Sequence, residues 1–326
     1  MFDVVGVGVP CVDLLVNIDY IPSSNESLLM KKISWQGGGK VPTAIVAMSR
    51  LGYKVGIVAK VSDDALGQFI VDDFKRHKVD TRNIVVEKDC SSNFSLVLSD
   101  RETEGRNIIY KPGNISDIVP EELDLEYILN SKIVHLSGST ALDLEIAKAA
   151  CKKGVKVAFD ADSYKDIIIE MIPYIDYFIA SENFINDYSD RSTDLTVKDI
   201  AQLGPEIVIV TLGGEGCLSY HKNEIRYHEA FSVEVVDTTG AGDVFHGAFL
   251  SALLEGMSVK DSCKFANAVS SMKCTKIGGR AGLPNRQEVE LFMKTGEIVL
   301  NDAEKLLQIY SDLPTTGKNI YEPENT

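Results

Sequence analysis

No stretch of the 326 residues is apolar for long enough to span a bilayer, and the opening Met1-Phe2-Asp3-Val4-Val5 has neither a basic segment nor a cleavage site. The six cysteines, Cys11, Cys90, Cys151, Cys217, Cys263 and Cys274, include no CxxC and no Cys/His pair at metal-ligand spacing. That leaves buried free thiols in a reducing compartment as the expectation. Positive charge is scarce: 33 Lys and Arg stand against 48 Asp and Glu, a formal net charge of -15. This argues against nucleic acid or an anionic membrane as partner, because both call for basic patches. It leaves open a nucleotide substrate, which backbone N–H groups, a divalent ion and a few cations can hold. There is no internal repeat and no low-complexity tract. The expectation is a soluble, cytoplasmic chain.

What is present is ordinary globular composition, 44% hydrophobic and 25% charged, long enough for a large core. Such a length fits one large α/β domain or two smaller ones. Short apolar, β-branched runs recur at Val4 to Val9, Val55 to Val58, Ile133 to Leu136, Val155 to Phe159, Tyr177 to Ile179 and Ile207 to Val210. Patterns of helical period lie between most of them, as at Ala65 to His77 and Leu142 to Lys153, and again at Ser258 to Lys276 and Arg286 to Lys294. Apolar strands alternating with helices predict a parallel sheet covered on both faces. Two stretches, near Leu14 to Trp35 and Ser92 to Tyr110, break the alternation and read as β insertions. Residues 313–326, with little apolar content, read as a peripheral tail.

The most informative residues are Asp237-Thr238-Thr239-Gly240-Ala241-Gly242-Asp243-Val244-Phe245-His246, just ahead of the apolar run Phe249 to Leu254. A Gly-Ala-Gly turn opening a helix leaves backbone N–H groups free, with the positive pole of the dipole behind them, and such an end holds anionic oxygens. Asp243 sits in the first turn. A carboxylate beside an anion cradle repels a merely bound phosphate. It suits a site where the carboxylate takes a proton from a hydroxyl while the cradle holds a transferring phosphoryl group. A plain Thr N-cap with a first-turn acid is the ordinary alternative. The two glycines and an alanine favour the catalytic one.

This run resembles the C-terminal signature of the phosphofructokinase-B, or ribokinase-like, carbohydrate kinases. Gly37-Gly38-Gly39-Lys40 through Arg50-Leu51-Gly52 resembles the other family signature, so the similarity covers nearly the whole chain. The resemblance implies a single three-layer α/β domain over 1–326, its mainly parallel central sheet covered by helices. It makes the two β insertions a lid over the sugar, whose edges in this family often pair two subunits into a homodimer. It also implies ATP and Mg²⁺.

On the sugar side, Asp13 matches an Asp that contacts the sugar in relatives. Gly37, Gly38 and Gly39 let a backbone approach a ligand closely, with Lys40 as a donor and Pro42 near the start of a helix read as Thr43 to Leu51. Relatives commonly carry Asn where Thr43 stands, so a ribose-type binding mode is not expected. Arg106 and Asn107 match a lid strand that often carries polar residues near the substrate. An exposed edge charge is the alternative. Arg106, Lys40 and Lys111 are the candidates for an anionic substrate. His246 either faces the sugar or is a neutral histidine in the packing.

On the nucleotide side, Thr211, Gly213 and Gly216 match nucleotide-contacting positions, although a tight turn between two strands explains the same glycines. Asn267 lies where relatives place a residue near adenine. Asp237 and Thr239, with carbonyls near Lys273, Gly278 and Gly282, match a monovalent-cation site found in some relatives, which makes K⁺ a third candidate cofactor. Relatives also carry an Asn-x-x-Glu motif that arranges Mg²⁺ and phosphate. Here the stretch is Ser181-Glu182-Asn183-Phe184, where Glu182 substitutes through water. The expected activity is an ATP-dependent kinase acting on a hydroxymethyl group of a ketose or modified hexose. Asp243 is its base, with Gly240, Ala241 and Gly242 as the cradle. A nucleoside kinase and a catalytically silent sugar sensor are the alternatives.

Overall fold

The structure, a computed structural model, describes residues 1–100 and 106–312. The tail expected at 313–326 and residues 101–105 of the second insertion lie outside the described residues. The strands are β1 Phe2–Val7, β2 Cys11–Ile18, β3 Lys32–Gly38, β4 Val55–Ser62, β5 Asp80–Glu87, β6 Phe94–Asp100, β7 Arg106–Lys111, β8 Ser131–Leu136, β9 Lys156–Ala161, β10 Tyr177–Ser181, β11 Ile207–Thr211, β12 Cys217–His221 and β13 Glu224–His228. The helices are α1 Lys40–Arg50, α2 Ala65–Arg76, α3 Leu125–Leu129, α4 Ala141–Lys153, α5 Ile167–Met171, α6 Glu182–Tyr188, α7 Thr193–Gln202, α8 Ala241–Leu254, α9 Val259–Cys274, α10 Arg286–Thr295 and α11 Ala303–Ile309.

Nine strands form one sheet in the order β13-β12-β11-β10-β9-β8-β1-β4-β5. From β5 to β11 every neighbouring pair is parallel, and β12 and β13 close the far edge antiparallel. Continuous apolar strands demand cover on both faces, and the core divides accordingly. Val4 points into a cluster with Ile45 of α1, Phe74 of α2, Phe249 of α8 and Phe265 of α9. Its neighbours Val5 and Val7 point into a second cluster with Ile128 of α3, Ile146 of α4, Phe184 of α6 and Val197 of α7. This is the strand period of two at work. At Gly6 a methyl group would meet Val41 and Ile45 at 2.6 Å, so α1 sits directly on β1.

β1 leads outward to β4 and β5, and the chain then returns to β8 on the other side of β1. Strand order reverses there, and the crevice beyond the carboxyl ends of such strands is where open α/β sheets bind ligands.

The second sheet, β3-β2-β6-β7, is the lid. It starts at Cys11 rather than near Leu14, so Asp13 is itself part of a lid strand. β6 shows alternating burial, and Val97 packs with Leu15 and Ile277 beneath the lid. Among the described residues β7 pairs only with β6, and Ile108, Ile109 and Tyr110 are exposed at the sheet edge. No described helix is long and apolar enough to cross a membrane.

Candidate active site

The sequence-predicted base lies at the start of α8. Gly240 is the N-cap in the left-handed region, φ 72°, which a side chain at that position would strain. The first turn of a helix leaves its N–H groups without intrahelical acceptors. One of the three expected cradle donors is engaged nonetheless, because Ala241 N donates to the Thr238 carbonyl at 3.1 Å. That leaves the N–H groups of Gly240, Gly242 and Asp243 as the candidates to meet an anion. A methyl group at Gly242 would meet nothing within 4 Å, so the turn faces open space there.

Burial raises the Asp243 carboxyl above its ordinary range, and the like charge of Asp160 raises it further, against the pull of Lys40 and Arg106. Asp160, 6% exposed at the end of β9, is likewise raised by burial. Its Oδ1 lies 3.7 Å from Nε2 of His246, which stacks on His135 with ring centroids 5.5 Å apart. Burial drives both histidines down to about 3, so they are neutral. His246 is thus a buried, neutral ring packed between Asp160 and His135.

Lys40 is the first residue of α1, three positions earlier than the expected helix start, with Gly39 as N-cap at φ 94°. Its Nζ pairs with Asp162 Oδ2 at 3.0 Å. Asp160 and Asp162 escaped sequence reasoning, although two carboxylates one residue apart at a strand's carboxyl end were a usable signal. Arg106 donates from Nη1 to the Thr238 carbonyl at 3.0 Å and to Thr238 Oγ1 at 3.1 Å, tying the lid to the loop before the cradle. Asn107 is exposed on β7 opposite Leu98, and Lys111 ends the strand, also exposed.

Asp13 Oδ1 accepts from Cys11 Sγ at 3.3 Å, and burial raises its carboxyl. A side chain at Gly38 would run into that carboxylate, and one at Gly37 into Arg280. These glycines make room for protein groups first. Arg280 is wholly buried, paired with Asp73, and its backbone N–H and that of Ala281 donate to Gln36 Oε1 at 2.9 and 3.1 Å. Asp73 Oδ1 also accepts from Tyr310 Oη and Arg76 Nη1, both at 2.7 Å. Burial opposes the Asp73 charge, but Arg280 leads the groups that outweigh it, and the carboxyl stays below its ordinary range. Thr43 is buried with its methyl 3.5 Å from where a Gly240 Cβ would stand and 3.6 Å from that of Gly279, so α1 abuts the cradle.

The nucleotide candidates divide. Thr211 ends β11 and donates to the Ala180 carbonyl at 3.3 Å. The expected turn between two strands exists: Leu212 N donates to Gly216 O at 2.8 Å. Gly213 and its neighbour Gly214 face open space, whereas a side chain at Gly216 would strike the His228 carbonyl. Asn267 Nδ2 donates to the carbonyls of His228 and Glu229, both at 3.0 Å. As placed, Gly216 and Asn267 brace the 228–229 backbone, and the open part of the shelf is Thr211, Gly213 and Gly214. Ser181 caps α6, accepting from Phe184 N at 3.1 Å and donating to the Asp162 carbonyl at 3.2 Å. Phe184 is in the core, and Glu182 is exposed on the first turn.

No group of three or more His, Cys, Asp or Glu side chains suited to a metal exists among the described residues. Mg²⁺ commonly keeps its waters and binds through one or two carboxylates plus substrate phosphates. Asp162 and Glu182 near the strand ends fit that mode. The oxygen set expected for a monovalent cation does not fit one. Asp237 and Thr239 do meet, but Asp237 Oδ1 accepts from Thr239 N and Oγ1 at 2.8 and 2.7 Å, and Oδ2 from Gly278 N at 2.7 Å. The Asp237 carbonyl accepts from Lys273 Nζ at 2.8 Å, and Lys273 has no exposed surface.

The profile described as "pfkB family carbohydrate kinase" matches residues 8–286. A ribokinase of Lactococcus lactis is 30% identical over 299 residues, covering 90% of this chain and 98% of that protein. A 5-dehydro-2-deoxygluconokinase of Halalkalibacterium halodurans is 26% identical over 326 residues, covering 91% and 96%. The solved Arabidopsis thaliana ribokinase complexed with ribose and ATP superposes with a TM-score of 0.76 at 25% identity, covering 90% of this chain and 99% of that one.

Proposed function

The chain belongs to the pfkB family of carbohydrate kinases, and from that premise we propose that it transfers the γ-phosphoryl group of ATP to a hydroxymethyl group of a ketose or modified hexose. The observation that carries the proposal is Asp243, a carboxylate held above its ordinary range, on an open helix turn, within the influence of Lys40 and Arg106. Asp243 takes the proton of the acceptor hydroxyl. The N–H groups of Gly240, Gly242 and Asp243, backed by the α8 dipole, stabilise the phosphoryl oxygens in flight. Lys40 adds positive charge, and Arg106 holds the lid down on the cradle loop. Asp13 accepts from the sugar hydroxyls, with Gly38 and Gly39 giving the backbone close approach.

On the other side, Thr211, Gly213 and Gly214 form the shelf for the nucleotide. Mg²⁺, when bound with ATP, neutralises charge between its phosphates. Asp162 and Glu182 would hold it through water. The one-domain reading of 1–326 belongs to the same proposal, as does a homodimer through the exposed β7 edge.

The preference for a hexose-type substrate rests on Thr43, which stands where ribose-binding relatives commonly carry Asn and turns its methyl toward the cradle. The whole-length similarity to a 5-dehydro-2-deoxygluconokinase points the same way. ADP release over a panel of aldoses, ketoses, keto-deoxy sugar acids and nucleosides, with and without Mg²⁺, tests it. Highest kcat/KM on ribose or a nucleoside would overturn the substrate class, and no release on any member would remove the kinase assignment.

A further inference from the structure

Behind the cradle lies a charge that the transfer itself does not touch. Lys273 is on α9 with none of its surface exposed. A buried ammonium is costly unless it is paired and hydrogen-bonded. Here the Asp237 carbonyl accepts from Nζ at 2.8 Å. The Asp237 carboxylate is the counter-charge: burial works against its ionisation, but Lys273 heads the groups that outweigh burial and keep the carboxyl low. That carboxylate binds Thr239 on one side and Gly278 on the other. One turn earlier on α9, Ser270 Oγ donates to the Ala241 carbonyl at 2.8 Å. The Cys274 carbonyl at the end of α9 also accepts from Asp237 N at 3.1 Å. So α9 grips the 237–241 segment at three points, and one grip is an ammonium on a carbonyl. A hard monovalent cation would bind oxygens of the same kind.

We propose that Lys273 is a positioning residue acting as a built-in cation: its ammonium fixes the Asp237–Thr239 segment, and with it the Gly240–Asp243 turn, so that phosphoryl transfer needs no free monovalent cation. The proposal rests on the kinase reading above. The test compares wild type and Lys273→Ala in a tetramethylammonium buffer, then with potassium or methylammonium chloride added, on the preferred sugar of the panel. Wild-type kcat is expected to change by less than about twofold with potassium. Lys273→Ala is expected to lose roughly tenfold or more in kcat with little change in sugar KM, the pattern of a displaced transition-state donor. Methylammonium, small enough to enter the space left by the side chain, is expected to restore part of that loss.

Wild-type activation by potassium beyond about threefold would overturn the proposal, and so would a folded Lys273→Ala that keeps full kcat in tetramethylammonium. Thermal unfolding without sugar or ATP gives the second readout. Potassium or methylammonium should raise the midpoint of the variant and leave that of wild type where it is, because only the variant has a site to fill. If neither protein phosphorylates anything, the kinase reading fails, and the unfolding shifts still decide the built-in cation. If Lys273→Ala does not fold, the wild-type response to potassium decides it alone.

Discussion

The two halves of the crevice are built on opposite plans. On the side proposed for the sugar the floor is held by protein groups. Gly37 and Gly38 lie against Arg280 and Asp13, Arg280 is paired with Asp73, and Asp73 accepts from Tyr310. Tyr310 Oη in turn lies 2.8 Å from Nε2 of His77, which burial pushes down to about 4 and so keeps neutral. On the nucleotide side, Gly213 and Gly214 look into open space at the end of β11. The difference follows from what each ligand brings. A sugar hydroxyl must be placed to within a fraction of an ångström for attack, and only a pre-formed floor does that. A triphosphate brings its own charge and its own metal, and backbone N–H groups on an open shelf suffice.

The largest effect is expected at the seam between the halves. Asp243→Asn should retain the fold and both ligands while kcat falls by roughly 10²–10⁴, the usual contribution of a positioned base. Near-normal turnover would take Asp243 out of that role. The pH profile gives the sign independently. A base must be ionised, and burial and the Asp160 charge raise the Asp243 carboxyl. Activity should therefore fall away as pH drops through that raised value, and Asp160→Asn, removing a like charge, should move the acid limb to lower pH. An acid limb that moves to higher pH would contradict the coupling.

Next comes the floor. Asp73→Asn leaves the wholly buried Arg280 without its carboxylate, and breaking such a pair costs about 3–5 kcal/mol. Urea unfolding should show that loss, sugar KM should rise, and ATP KM should stay. A variant as stable as wild type would show that the floor is not held through this pair. The smallest effect on stability belongs to the shelf. Gly214→Ala adds a methyl in open space at a residue with no positive φ, so its stability should move by no more than about 0.5 kcal/mol. Its ATP KM should rise several-fold while sugar KM does not. If sugar KM rises instead, the two halves are not separate.

Much of this was legible in the sequence. The six apolar runs became parallel strands, because continuous apolarity has meaning only where both faces are covered. The Asp237 to His246 motif picked out the helix-opening turn and the buried carboxylate proposed as cradle and base, because glycine demand and charge placement are local properties. What stayed hidden is long-range. That Gly38 yields to Asp13, or Gly37 to Arg280, depends on residues brought in from elsewhere in the chain. Asn267 read as an adenine contact because relatives place a residue near adenine there. Its engagement by the backbone at 228–229 has no trace in spacing. α1 starts three positions earlier than read, because Lys40 to Pro42 already form its first turn, where proline is tolerated. Lys273 could be seen only as a positive charge near the motif. Its contact with the Asp237 carbonyl spans 36 positions.

The Gly37 floor also sets an order of assembly. Gln36 is capped by the N–H of Arg280, 244 positions later, and Asp73 is bonded to Tyr310, 237 positions later. A growing polypeptide can dock β1 against β4 as soon as residue 62 has emerged, because that pairing is comparatively local. It cannot complete the surface beneath the sugar until residue 310 has been synthesised. Competence to hold an acceptor at the proposed site thus waits on contacts that span 237 and 244 positions.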